Sequence, residues 1–198
     1  MKLTFKIFFC FTLLILFSCS NADNKVENKY VKIEKLDDYH DITDLKNEEV
    51  LNLVKFSDFG NKETQGGLQS IFSIDNGRYN DLQTNAELVK NSTPEKALRG
   101  ILKSIEEECA DPTFPWKNFK IVSDVKPIDF KTYKAAVAEY EVDEHVDYLN
   151  TTIKKRVKRY CIFFKNDLWN IVLAPTKLED YNSEMKDFDK MMSTLEIK

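Results

Sequence analysis

Apolar residues recur every three or four positions in two stretches of the chain. Ala97, Leu98, Ile101, Leu102, Ile105 and Cys109 form one stripe, with Lys96, Arg99, Lys103 and Glu106 on the opposite side, which predicts an amphipathic helix. Its start lies at Ser92-Thr93-Pro94-Glu95. Either Ser92 and Glu95 close a capping box, or Thr93 caps with Pro94 at the first helical position. It should stop by Asp111-Pro112, because proline disfavours helical geometry in the residue before it. Tyr181, Met185, Phe188, Met192 and Leu195 form the second stripe and predict a closing helix that lies on a sheet.

The sheet is read from the segments between. Residues 119–125 alternate, 133–142 are rich in β-branched and aromatic residues, 152–164 make a long run, and 168–173 follow the turn Lys165-Asn166-Asp167. Short connections between them imply an antiparallel meander. Upstream, residues 68–74 read as a strand ending at Asp75-Asn76-Gly77, while 48–56 fit a strand or a helical turn equally well. Residues 30–44 are polar and weakly patterned, although Tyr30, Ile33 and Leu36 could lay a short element on the domain. The order predicts an α+β fold: an antiparallel sheet of five to seven strands covered by an internal helix and a C-terminal helix.

The amino terminus carries a different pattern. Lys2 and Lys6, with no acid beside them, precede an apolar run over residues 7–17 that is too short for a bilayer-spanning helix of about 20 residues. It reads as a cleaved export signal. Leu16-Phe17-Ser18-Cys19 resembles the lipobox of bacterial lipoproteins, and the resemblance implies cleavage before Cys19 and acylation of its thiol, each buried methylene adding about 0.8 kcal/mol of membrane affinity. The expected organisation is a signal peptide (residues 1–18), a lipidated cysteine with a flexible tether (19–44) and one globular domain (45–198). The implied address is the cell envelope, anchored by lipid, with Ser20 resembling the sorting residue of outer-membrane lipoproteins that face the periplasm. The alternative is an ordinary secretory peptide with an incidental cysteine.

Composition narrows the functional classes. Removal of residues 1–18 takes away Lys2 and Lys6 and no acid, so 27 basic side chains face 33 acidic ones, a net charge of −6. A negative domain outside the cytoplasm is a poor nucleic-acid binder. Cys109 and Cys161 are the thiols left beside Cys19. An oxidising compartment invites a bridge between them, whereas their places in a helical stripe and an apolar strand suit buried free thiols, which is the expectation here.

The carboxyl half is similar to the PsbP-like family. The matching residues are Tyr160-Cys161-Ile162-Phe163-Phe164, Asn166-Asp167-Leu168-Trp169-Asn170-Ile171, Ala174-Pro175, Phe188 and Met192-Ser193-Thr194-Leu195-Glu196-Ile197, within a resemblance over residues 92–198. It implies a non-enzymatic binding or assembly factor.

Candidate chemistry is sparse. His40 and His145 lack packed neighbours of the kind a catalytic base requires, and Asp143, Glu144, His145 and Asp147 lack the spacing and glycine of a calcium loop. No HExxH, GxSxG, paired CxxC or phosphate-cradling glycine loop occurs. No catalytic residue, metal or cofactor is therefore expected. Lys154, Lys155, Arg156, Lys158 and Arg159 form a candidate basic patch for anionic headgroups or an acidic partner. Cross-strand pairing is the competing reading, with Glu141 near Lys154 and Glu139 near Arg156 if the hairpin folds about residues 147–148. Phe114 and Trp116, between prolines, are candidate partner contacts or plugs at one end of the core. The leading functional expectation is a lipid-anchored, non-catalytic envelope binding or assembly protein. A small-molecule or enzymatic pocket on a curved, cone-like sheet is the alternative.

Overall fold

A computed structural model describes residues 24–43, 50–56, 68–76 and 82–198. Its centre is the meander. Strands β6 (Trp116–Phe130), β7 (Tyr133–Val146), β8 (Thr151–Phe164) and β9 (Asp167–Ala174) pair with their neighbours, all antiparallel. Two-residue connections join β6 to β7 and β8 to β9, and Lys131 and Lys165 open them at φ 56° and 55°, the left-handed geometry that tight hairpin turns require.

β9 then pairs with an earlier hairpin made of β4 (Val50–Phe56) and β5 (Gln69–Asp75), and the two-residue β3 (His40–Asp41) completes the edge. The result is a seven-stranded sheet in the order β3-β4-β5-β9-β8-β7-β6. Of residues 48–56, open between strand and helix in the sequence, the described Val50–Phe56 form a strand, because pairing with β5 supplies the hydrogen bonds that periodicity alone leaves undecided.

Both faces of this sheet are covered. Helix α1 (Leu82–Asn91) leads into α2 (Pro94–Ala110), and Ala97, Leu98, Leu102, Ile105 and Cys109 of α2 pack on Ala136, Ala138, Tyr140, Val142, Val157 and Cys161. Thr93 is the cap: its Oγ1 accepts from the Lys96 backbone N–H at 3.3 Å, with Pro94 at the first helical position. The second of the two cap readings is the one realised. On the other face, α3 (Tyr181–Thr194) lays Met185, Phe188, Met191 and Met192 against Phe72, Ile74, Ile162, Trp169, Ile171 and Leu173. α3 starts where Glu184, itself buried, accepts from the backbone N–H and Oγ1 of Thr176 at 2.7 and 2.9 Å.

Residues 24–43, given to the tether by the sequence, are part of the domain. β1 (Lys25–Glu27), β2 (Val31–Glu34) and β10 (Glu196–Ile197) make a second, three-stranded sheet with β2 in the middle. Val31 and Ile33 are 1% and 0% exposed and sit in the same core as α3. Tyr39 is also buried there, its hydroxyl 3.0 Å from Ser70 Oγ. The physical reason is alternation: Val31 and Ile33 point inward while Lys32 and Glu34 point out, a pattern only four residues long whose second partner strand lies more than 160 residues away. Packing on the core therefore reaches back at least to Val26, ahead of residue 45. The signal peptide, lipobox and Cys19 lie outside the described residues.

Candidate functional site

The basic run sits wholly on β8, and a strand sends successive side chains to opposite faces. Lys154, Arg156 and Lys158 project to the α3 side, while Lys155 and Arg159 share the α2 side with Val157 and Cys161. The five cations are consequently not gathered into one patch. The register also differs from the expected one by two residues: Glu141 faces Arg156, Asp143 faces Lys154 and Glu139 faces Lys158. The cause is the hairpin connection, where a 3₁₀ turn (Asp147–Leu149) and a left-handed Asn150 take up the residues expected to form a tighter turn.

Each cation then meets its own surroundings. Arg156 donates from Nε and Nη2 to Glu141 Oε1 at 3.1 and 2.6 Å, and its guanidinium lies 5.2 Å from the centre of the Tyr181 ring. The hydrogen bonds to the Glu141 carboxylate raise the Arg156 pKa further. Lys155 is 4% exposed, with Nζ 2.7 Å from Glu144 Oε2 and 3.4 Å from the Gln69 carbonyl to which it donates. Lys158 is half-buried, 5.4 Å from the Tyr160 ring. Lys154 is exposed and Arg159 half-buried. The arrangement neutralises and anchors the strand rather than presenting a concentrated positive field.

Phe114 and Trp116 meet edge to face at 6.1 Å and both are half-buried against the α2 core, Trp116 as the first residue of β6. They close one end of that core, with part of each ring left accessible. The acidic residues at the end of β7 are dispersed. Asp143 accepts from Asn118 Nδ2 at 2.7 Å, Glu144 faces Lys155, and exposed His145 stands 3.4 Å from Asp147. His40 lies against the Phe56 ring at 5.9 Å. Among the described residues no group of three or more His, Cys, Asp or Glu side chains is placed to hold a metal ion. Cys109 and Cys161 are free and buried, and burial pushes the Cys161 thiol up to about 12 and raises that of Cys109.

One feature has no signal in the local sequence. A cavity of about 630 Å³ opens between the α1–α2 corner and the β6–β7 turn, lined among others by Val89, Thr93, Glu95, Ile128, Lys134 and Phe163. Its walls come from segments far apart in the chain, so only the tertiary fold assembles it.

This architecture has a solved counterpart. The solution structure of cyanobacterial PsbP (CyanoP) from Synechocystis sp. PCC 6803 superposes with a TM-score of 0.54 at 9% identity, covering 91% of this chain and 98% of that one. The fold is PsbP-like. LpqN of Mycobacterium tuberculosis, described as involved in cell envelope biogenesis, superposes less well, with a TM-score of 0.44 at 11% identity over 88% of this chain and 89% of that one. No protein family and no curated protein matches the sequence. The PsbP-like resemblance of residues 92–198 therefore extends in three dimensions to the amino-terminal half as well. Among the described residues no helix is long and apolar enough to cross a membrane.

Proposed function

We propose that the chain is a lipid-anchored, non-catalytic binding or assembly protein of the bacterial cell envelope. The observation that carries this reading is Leu16-Phe17-Ser18-Cys19 at the end of the apolar run, where acylation would fix the protein to a membrane. The PsbP-like fold is compatible with it, and so is the use made of the charged side chains. Arg156, Lys155 and Glu184 are each held by a carboxylate, a carbonyl or a backbone N–H inside the fold and are occupied in building it. The partner is another envelope component, for which the accessible edges of Phe114 and Trp116 are candidate contacts.

The cone-like pocket is less well supported. That reading needs one sheet face left open to a ligand, and here α2 covers one face while α3 and the three-stranded sheet cover the other.

The test is Cys19→Ser. Wild-type protein is expected in the membrane fraction, with an intact mass that places a diacylglyceryl-modified cysteine at the amino terminus. The variant is expected uncleaved before residue 19 and without the lipid mass. A wild-type mature terminus that carries no lipid overturns the proposal.

A further inference from the structure

Resting on acylation of Cys19, the geometry points to a restricted orientation: the leash keeps the α3 and β1 side of the domain nearer the lipid surface than its α2 side. Asn24 is the first described residue and is tied into the domain, its carbonyl accepting from the Lys35 backbone N–H at 2.7 Å. Four residues lie between it and Cys19, and the five residue steps from Cys19 to Asn24 span at most about 18 Å when fully extended. A tether reaching to residue 44 would have allowed several times that distance.

The point of attachment lies on one side of the molecule. β1 pairs with β2, whose Glu34 backbone N–H donates to Thr194 Oγ1 at the end of α3, and Val26 packs on the core that α3 shares with the large sheet. α2 packs on the opposite face of that sheet. A helix is about 10–12 Å across and packed layers are about 10 Å apart, so roughly 30 Å of protein separates the outer surfaces of α3 and α2. An 18 Å leash cannot pass around 30 Å of protein, so α2 cannot rest on the membrane. The tether sets this orientation without help from net attraction, because Lys25, Lys35, Lys186 and Lys190 on this side are interspersed with Glu27, Glu34, Asp37, Asp187 and Asp189. The outward side then carries Phe114 and Trp116, open to a partner approaching from the aqueous phase.

The experiment uses the acylated full domain in phosphatidylcholine vesicles that carry a short-range quencher on the lipid headgroup. A fluorophore is attached at Lys190→Cys on the exposed side of α3 or at Lys103→Cys on the exposed side of α2, the two native thiols being buried. Quenching is expected to be several-fold stronger at position 190 than at 103. Inserting about twenty Gly/Ser residues after Asn21 should remove the difference, because a flexible linker of that length spans the thickness of the domain. Equal quenching at the two positions with the native leash overturns the orientation. A difference that survives the insertion overturns the leash as its cause. Protein that fails to float with the vesicles overturns the acylation instead, which separates the two claims.

Discussion

Ile33→Ala discriminates sharply between a loose amino-terminal tether and a strand built into the core. In a tether the substitution would change stability by no more than a few tenths of a kcal/mol, as at any solvated position. In the structure Ile33 is 0% exposed and packs within the core formed by α3 and the large sheet. Removing its three outer carbons forfeits about 0.8 kcal/mol of burial each, and the cavity left behind adds to this, for a total of about 2–5 kcal/mol. With a urea m-value of about 2 kcal/mol/M, the midpoint should fall by roughly 1–2.5 M. The assay is equilibrium urea unfolding followed by tryptophan fluorescence, since Trp169 lies in the same core. Lys32→Ala is the control. Its ammonium is partly exposed and 3.3 Å from Glu196, a pair whose loss costs about 1 kcal/mol or less. An unchanged midpoint for Ile33→Ala would detach residues 24–43 from the domain and would also remove the short leash on which the membrane orientation depends.

The other predictions concern the two faces and the thiols. Phe188→Ala should cost about 3–5 kcal/mol in thermal or urea unfolding, because the ring is fully buried 6.1 Å from both Tyr39 and Phe72, whereas Lys186→Ala on the exposed side of α3 should cost little. Arg156→Ala should cost about 1.5–3 kcal/mol, since it strips the charge-assisted bonds from a largely buried Glu141, and exposed Lys154→Ala should be near neutral. Cys109 and Cys161 should resist alkylation in the folded protein and react on unfolding, and mass mapping without reductant should recover no Cys109–Cys161 peptide. Burial raises the folded pKa of Cys161 from 9.0 to about 12, so the stability it contributes is complete below pH 9 and is lost as pH rises toward 12, by up to about 1.4 kcal/mol per pH unit. Tyr39 and Tyr181, also raised chiefly by burial, act in the same direction at higher pH, so a midpoint that stays level from pH 9 to 11 would contradict the burial of these groups.

Legibility in the sequence followed the range of the interactions. The α2 stripe from Ala97 to Cys109 and its start at Pro94 rest on contacts within one helix turn, and both appear as expected. The meander was visible because its strands follow one another directly, and in the structure its Ala136, Ala138, Tyr140 and Val142 meet α2. The complementary set, Ala135, Tyr160 and Ile162, went unread because a strand buried on both sides loses the alternation that marks one face. Helix α1 has no comparably clear apolar stripe, and β2 and β10 are too short to reveal a pairing that joins Lys32 to Glu196. The basic run was legible as cross-strand pairing in kind, but Asn150 and the 3₁₀ turn moved its register by two residues. The cavity beside Thr93 and Lys134 depends on the packing of distant elements and left no local trace.

The pairing of β2 with β10 also bears on the timing of folding. Residues 31–34 acquire their second sheet neighbour only when Glu196 and Ile197 arrive, and the Lys198 backbone N–H then donates to the Tyr30 carbonyl at 2.9 Å. Such a contact closes a loop of more than 160 residues, an entropic cost that local pairing must offset beforehand. During synthesis the first strands to emerge therefore wait for the last. Export in the unfolded state, as proposed above, would gain from that delay, because β2 would complete its pairing only once residue 197 had crossed the membrane.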